Sequence, residues 1–210
     1  VDTLHARVGT LTVFEDQRYK PKQPYVMPQE ILMAAEVPLH INYVRASVDT
    51  LHYTLATTDI HDGSFELVNI KACVKNFSNR NREEFRVIGS TEFVGGGKAD
   101  LQLTMKMRRA CDWSIKLSGK ELRGSAFDGF LRPLFGLTAN LEIDEVAAAY
   151  KGDKNTASGD FKMFYHGLEI HAYPGEASYD IINKNAKAIQ DLGNAFLPKT
   201  NTKREYDVKA

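Results

Sequence analysis

Strict alternation of apolar and polar residues is the feature that most constrains this chain, and it is clearest between Ala99 and Arg108. Successive side chains of a β-strand point to opposite faces, so a period of two indicates a strand with one buried face. The stretch therefore predicts a half-buried strand. Its predicted inward side chains are Leu101, Leu103, Met105 and Met107.

The same alternation recurs along most of the chain from about residue 39. It places Trp113, Ile115 and Leu117 on one predicted inward face and Leu141 and Ile143 on another. The predicted strands are Leu39–Val48, Thr50–Ala56, Phe65–Phe77, Glu84–Val94, 99–108, 112–118, 137–144, Ala147–Lys151 and Gly159–Tyr173. Short connections rich in Gly, Asn and Asp separate them, and such turns join antiparallel neighbours.

Three segments interrupt the alternation and are predicted to be helices: Pro28–Glu36, Ser125–Leu131 and Ser178–Leu197. The first starts with a proline, the second has Ser125 as its predicted N-cap and ends at Pro133 and Gly136, and the third precedes Pro198. We therefore expect a mainly β fold, α+β at its margins. It would be a single curved antiparallel meander of about nine or ten strands with two or three helices, either forming an open groove or covered by helices.

The composition indicates a globular domain. The chain has 210 residues, 43% of them hydrophobic, and 27 basic residues balance 27 acidic ones. No global positive charge attracts nucleic acid, which is therefore not an expected partner. Residues 1–210 are predicted to form a single domain, with a disordered polar tail at 199–210. Because the chain begins with Val1 rather than methionine, we expect it to be a fragment of a longer protein.

Two motifs with the appearance of chemical sites are better explained by structure. His166 and His171 are an odd number of residues apart and would face opposite sides of a regular strand, so they cannot share a metal without a bulge. The three glycines Gly95–Gly97 precede a predicted strand rather than a helix, which favours a hairpin turn over a phosphate-binding loop. No catalytic constellation emerges, so we expect no enzyme activity, no metal and no cofactor.

The two cysteines, Cys73 and Cys111, match no zinc or thioredoxin spacing. Two buried free thiols are the favoured interpretation, and a disulfide remains the alternative. The cysteines therefore do not fix the compartment.

A meander with one apolar face must cover that face with helices, a second sheet, a partner or an apolar ligand. From physics alone, a closed sandwich or a helix-covered sheet is the favoured answer. The residue pattern does not decide between a core and a ligand trough.

The order of several segments adds an indication of family. The segments are Leu39–Tyr53, Phe65–Asn79, Gly95–Leu101, Leu117–Leu122, Phe130–Leu137 and Ala157–Ile170. Together they resemble, in order, the C-terminal region of AsmA-like envelope proteins of Gram-negative bacteria. The Tyr-His-x-Leu sequence at Tyr165–Leu168 is the most specific part, and the resemblance extends over roughly Thr10 to Thr200.

The resemblance implies a β-rich periplasmic body, carried by an inner-membrane helix upstream, that shelters acyl chains in an apolar trough. We accordingly expect a non-enzymatic module of lipid transport or envelope organisation. A phospholipid or other acyl-chain ligand and an envelope protein are the expected partners. The alternative is a structural or assembly module whose apolar face packs on its own helices or on a partner protein. The predicted lipid-binding residues are Leu101, Leu103, Met105, Met107, Trp113, Ile115, Leu117, Leu141 and Ile143.

Overall fold

The computed structural model describes residues 2–18, 26–57, 62–79, 84–108, 110–173 and 180–202. These residues form one eight-stranded mixed sheet in which the strands lie in chain order from β1 to β8. The strands are β1 Thr3–Asp16, β2 His40–Ala56, β3 Asp62–Ser78, β4 Glu84–Phe93, β5 Lys98–Lys106, β6 Trp113–Arg123, β7 Leu137–Gly152 and β8 Ala157–Ala172. The helices are α1 Pro28–Ala34, α2 Asp128–Phe135, which follows a 3₁₀ turn at Gly124–Phe127, and α3 Asp180–Phe196.

The mainly β prediction is confirmed, but the predicted strand number and the purely antiparallel arrangement are wrong. The predicted pair 39–48 and 50–56 is one strand, β2, and the pair 137–144 and 147–151 is one strand, β7. The apolar alternation changes phase inside each of them, and in β7 a β-bulge accompanies the change. The edge strand β1 was not predicted, and it pairs with β2 in parallel while all later pairs are antiparallel.

The three predicted helices are present, and two details of the second are wrong. The N-cap of α2 is Phe127, with no side-chain capping hydrogen bond, rather than Ser125. Pro133 lies inside α2 rather than ending it, and Gly136 forms the left-handed C-cap with φ of 60°. The start of the predicted tail, residues 199–202, contributes a bridge between Asn201 and Tyr165 of β8, and 203–210 lie outside the described residues.

The two edges of the sheet differ. On β8, the backbone N–H of Ile170 donates to the Asn194 side chain at 2.8 Å, and the N–H of Ala172 donates to Gln190 at 2.6 Å, both on α3. The N–H of Leu168 donates to the carbonyl of Lys199 at 3.0 Å. These bonds occupy backbone groups that an edge strand would otherwise leave open. In β1 every residue from Leu4 to Glu15 is exposed.

Candidate functional site

One face of the sheet carries continuous rows of apolar residues, which we call the apolar strip. Its side chains are placed by the strand register, because directly paired residues share a face. The first row is Val44, Val74, Val87, Leu103, Ile115 and Tyr150. The second row is Ala46, Ala72, Gly89, Leu101, Leu117, Ala148 and Phe161. Leu117 is 44% exposed and Phe161 58% exposed, so water reaches this strip.

At the end of the sheet that carries α2, the same face is packed. Leu122, Ile143 and Tyr165 form a buried cluster there. Phe130 of α2 makes an edge-on contact with Phe65 of β3, with ring centroids 6.1 Å apart. The helix and its 3₁₀ turn therefore close this end of the face, which we call the covered end.

The opposite end of the sheet lies near α1. The Gln29 side chain donates a hydrogen bond to the carbonyl of Cys111 at 3.2 Å, and both residues are buried. Burial raises the pKa of the Cys111 thiol. Lys154 in the turn after β7 lies 2.5 Å from the Glu30 carboxylate, and this hydrogen bond lowers the pKa of Glu30. Contacts from α1 thus hold together the turns at this end.

The nine predicted lipid-binding residues fall into two groups. Leu101, Leu103, Ile115 and Leu117 lie in the apolar strip, and Met105 pairs with Trp113 in the adjacent rung. Three others lie in packed regions: Met107 is 5% exposed, Ile143 belongs to the buried cluster and Leu141 packs against it. The alternation placed the first six together, but it did not distinguish the packed ends of the face from its open middle.

The other face of the sheet is polar, and five of its cations lie together at the α1 end. A rung of directly paired residues crosses it: Tyr43, Lys75, Arg86, Thr104, Ser114, Lys151 and Ser158. Two adjoining clefts of about 570 and about 510 Å³ lie along this rung and share Glu84, Lys106 and Arg108 in their walls. We call Lys75, Arg86, Lys106, Arg108 and Lys151 the basic end.

The carboxylates within these two clefts are already engaged. Arg86 lies 2.7 Å from Glu84, and its hydrogen bond lowers the pKa of that carboxyl. Arg108 pairs with Asp112. The backbone N–H groups that follow Asp153 donate to its side chain and lower its pKa. Arginines therefore offset the charges of Glu84 and Asp112, while Asp153 is held by neutral backbone donors.

Carboxylates outnumber cations at the covered end of the same polar face. The acids there include Glu66, Glu92, Glu142, Asp144 and Glu169. Their cationic neighbours include Lys98, which lies 3.8 Å from Glu92, and Arg123, which pairs across the strands with Glu142. The polar face thus has opposite charge at its two ends, although the chain has equal numbers of acidic and basic residues.

The predicted separation of the two histidines on β8 is wrong. Gly167, with φ of 72°, forms a β-bulge that shifts the register, so His166 pairs with Glu142 and His171 with Thr138. Since these partners are an even number apart on β7, both histidines lie on the polar face. His166 contacts Glu142 at 3.3 Å, and His171 contacts Glu169 at 3.7 Å. Among the described residues no group of three or more ligating side chains is arranged to hold a metal ion.

Comparison with known proteins adds no relative. No family model, no curated protein and no solved structure matches the chain. None of the helices formed by the described residues has the length and apolarity that a bilayer span requires. The surfaces of the sheet are therefore the features that indicate a function.

Proposed function

We propose that this chain is a non-enzymatic, AsmA-like module that shelters acyl chains on its apolar strip during lipid transport or envelope organisation. The observation that supports the proposal is the strip itself: two full rows of apolar side chains lie in the open middle of a face whose covered end is packed. A large accessible apolar patch on a single chain marks a binding surface. In the family that the sequence resembles, such a surface binds lipid.

The dimensions and chemistry of the strip suit an acyl chain. From β2 to β8 it crosses six inter-strand steps of about 4.8 Å, or about 29 Å in total. Each methylene buried against it contributes about 0.8 kcal/mol, so a chain lying along the rows needs no polar contacts to bind. The strip also contains no charged residue, which removes the main cost of burying it.

The same resemblance supports a proposal for the cellular location of the module. We propose a periplasmic location, with an inner-membrane anchor upstream of this chain and an envelope protein as an additional partner. Cys73 and Cys111 are both free, so they provide no argument for this location.

A structural or assembly module is the second candidate. Small residues dominate the second row on β2, β3, β4 and β7, where Ala46, Ala72, Gly89 and Ala148 lie. Such a shallow surface also suits a helix or the side chains of a partner protein. In that case the strip is an interface and binds no lipid.

Lipid extraction separates the two candidates. We expect organic solvent to release lipid from the folded protein in near-stoichiometric amount, measured by mass spectrometry. Leu103→Asp places a charge in the strip, and we expect it to abolish this lipid while circular dichroism still reports a folded sheet.

Gln102→Asp is the matched control, because Gln102 is the preceding residue of β5, faces the polar side and is exposed. This variant should retain its lipid. A lipid-free wild-type protein, or equal lipid loss in both variants, would reject the lipid-binding proposal in favour of the protein interface.

A further inference from the structure

We propose that the basic end of the polar face docks onto the anionic phosphate headgroups of a lipid bilayer. The inference rests on the proposed function for its biological purpose. It deepens that function by assigning to the same module a second surface, which binds phosphate headgroups. Its basis is geometric and electrostatic, and it does not depend on lipid binding to the apolar strip.

The ion pairs at the basic end leave three ammonium groups available. Arg86 and Arg108 are paired with Glu84 and Asp112. In the part of the chain that the structure describes, Lys75, Lys106 and Lys151 form no ion pair of their own. They line two open clefts together with the hydroxyl-bearing residues Tyr43, Thr104, Ser114 and Ser158. Ammonium and hydroxyl groups are hydrogen-bond donors that phosphate oxygens accept.

The spacing of these cations favours a plane of phosphates over a single one. Lys75 is on β3, Lys106 on β5 and Lys151 on β7, so each is two strand steps, or about 10 Å, from the next. One phosphate group cannot contact all three. Headgroups arrayed at a bilayer surface can, and each lysine held near an anionic bilayer raises the affinity about fivefold.

The charge distribution of the polar face also defines an orientation. Carboxylates such as Glu66, Glu142 and Glu169 lie at the covered end, away from the basic end. An anionic surface attracts the basic end and repels the acidic one. The molecule would therefore approach with its strands roughly perpendicular to the bilayer and its covered end farthest from it. Screening restricts this attraction to about 8 Å at physiological salt, so the cations must lie close to the headgroups.

This orientation brings the apolar strip to the same membrane surface. The first row of the strip consists of sequence neighbours of the basic rung: Val74 precedes Lys75, Arg86 precedes Val87, and Tyr150 precedes Lys151. Cations and apolar side chains therefore occupy the same level of the sheet on opposite faces. Docking through the cations would place the end of the strip where acyl chains leave the bilayer.

Vesicle binding tests the inference. We expect the wild-type protein to co-sediment with vesicles of equal parts phosphatidylglycerol and phosphatidylcholine, and not with pure phosphatidylcholine. Replacing Lys75, Lys106 and Lys151 together by Gln should reduce partitioning roughly 100-fold. The control replaces Lys116, Lys120 and Lys162 by Gln, which removes the same charge from the same face outside the two clefts, and it should bind at least tenfold more tightly than the first variant.

Other outcomes overturn the inference. Equal loss in the two triple variants would indicate a non-specific charge effect. Saturable binding of pyrophosphate or of single-stranded DNA by wild type, without vesicle binding, would assign the clefts to a soluble ligand. Loss of vesicle binding in a Leu192→Asp, Phe196→Asp variant, with the lysine variant unaffected, would assign docking to the exposed apolar side of α3.

The two proposals fail separately. A protein that docks on vesicles but carries no extractable lipid contradicts only the proposed function, and one that carries lipid but ignores anionic vesicles contradicts only the docking site. Leu103→Asp should therefore leave vesicle binding within about twofold of wild type, because the residue lies on the opposite face.

Discussion

Gly97 closes the turn between β4 and β5 against β6. Its φ is 98°, in the region that favours glycine, and a Cβ there would lie 2.5 Å from the Leu122 side chain and 2.8 Å from the Glu121 carbonyl. Gly95 in the same turn has φ of 99°, but its Cβ would meet no atom closer than 4.0 Å. The hairpin predicted from these glycines is confirmed, since β4 and β5 pair antiparallel. The backbone contact with β6 was not visible in the sequence.

These two glycines give a paired prediction. We expect Gly95→Ala to destabilise the protein by about 1 to 2 kcal/mol, through backbone strain alone. Gly97→Ala should cost more, about 3 kcal/mol or above, because the added methyl group also collides with the backbone of β6. Urea unfolding followed by circular dichroism measures both. Equal destabilisation would show that the turn can move away from β6.

The two histidines of β8 show what the sequence could not determine. Strand parity correctly required a bulge before His166 and His171 could share a face, and Gly167 provides that bulge. Glycine in a strand is a common sign of a bulge, yet it does not specify how the register shifts. Only the pairing with β7 determines that.

Among the elements, β1 departs furthest from what the sequence indicated. Its apolar residues are interrupted at Gly9 and both of its faces are exposed, so no buried face imposes the alternation by which the other strands were found. Val8 is 39% exposed and Leu11 40% exposed, and the strand is 14 residues long. A long, apolar and uncovered edge promotes pairing with another chain.

We therefore predict that charge on β1 improves solubility at little cost in stability. Val8→Lys with Leu11→Lys should reduce concentration-dependent association, measured by light scattering, while changing the unfolding free energy by about 0.5 kcal/mol or less. Ser90→Lys with Ser118→Lys adds the same charge on the polar face and should have the smaller effect. If both pairs suppress association equally, net charge rather than the edge controls it.

The basic end was missed for a related reason. Its cations lie on separate strands far apart in sequence, and each alone is an ordinary lysine or arginine on a polar face. Antiparallel pairing brings alternate strand ends to the same end of the sheet, so Lys75, Arg86 and Lys151 fall on one rung only once the strand order and register are known. The strand register of the sheet, rather than a local sequence motif, creates this surface.

For the molecule as a whole, packing is uneven between the covered end and the apolar strip. Leu134 of α2 is 3% exposed, and it packs so closely on Gly63 that a Cβ there would collide with its side chain. Leu117 in the strip, by contrast, is 44% exposed. The alternation predicted Leu117 as an inward residue, whereas Leu134 lies beyond the predicted helix Ser125–Leu131. The sequence could not predict their relative burial, because that depends on where the helices pack.

The difference predicts unequal costs of truncation. We expect Leu134→Ala to destabilise the protein by about 2 to 5 kcal/mol, since it leaves a cavity under α2. Leu117→Ala should cost less than about 1 kcal/mol in lipid-free protein, because its side chain gains little from burial. Thermal or urea unfolding tests this, and comparable losses would indicate that the strip is a core.

The parallel pairing of β1 with β2 has a consequence for the order of folding. The paired residues of β1 meet partners 40 positions later, while Glu92 and Lys98 meet across a hairpin six positions apart. Closing the longer loop costs more chain entropy, and contacts distant in sequence form more slowly. During synthesis β1 emerges before β2 and must wait for it, so its strand remains unpaired for that interval and open to association with other chains or with a chaperone.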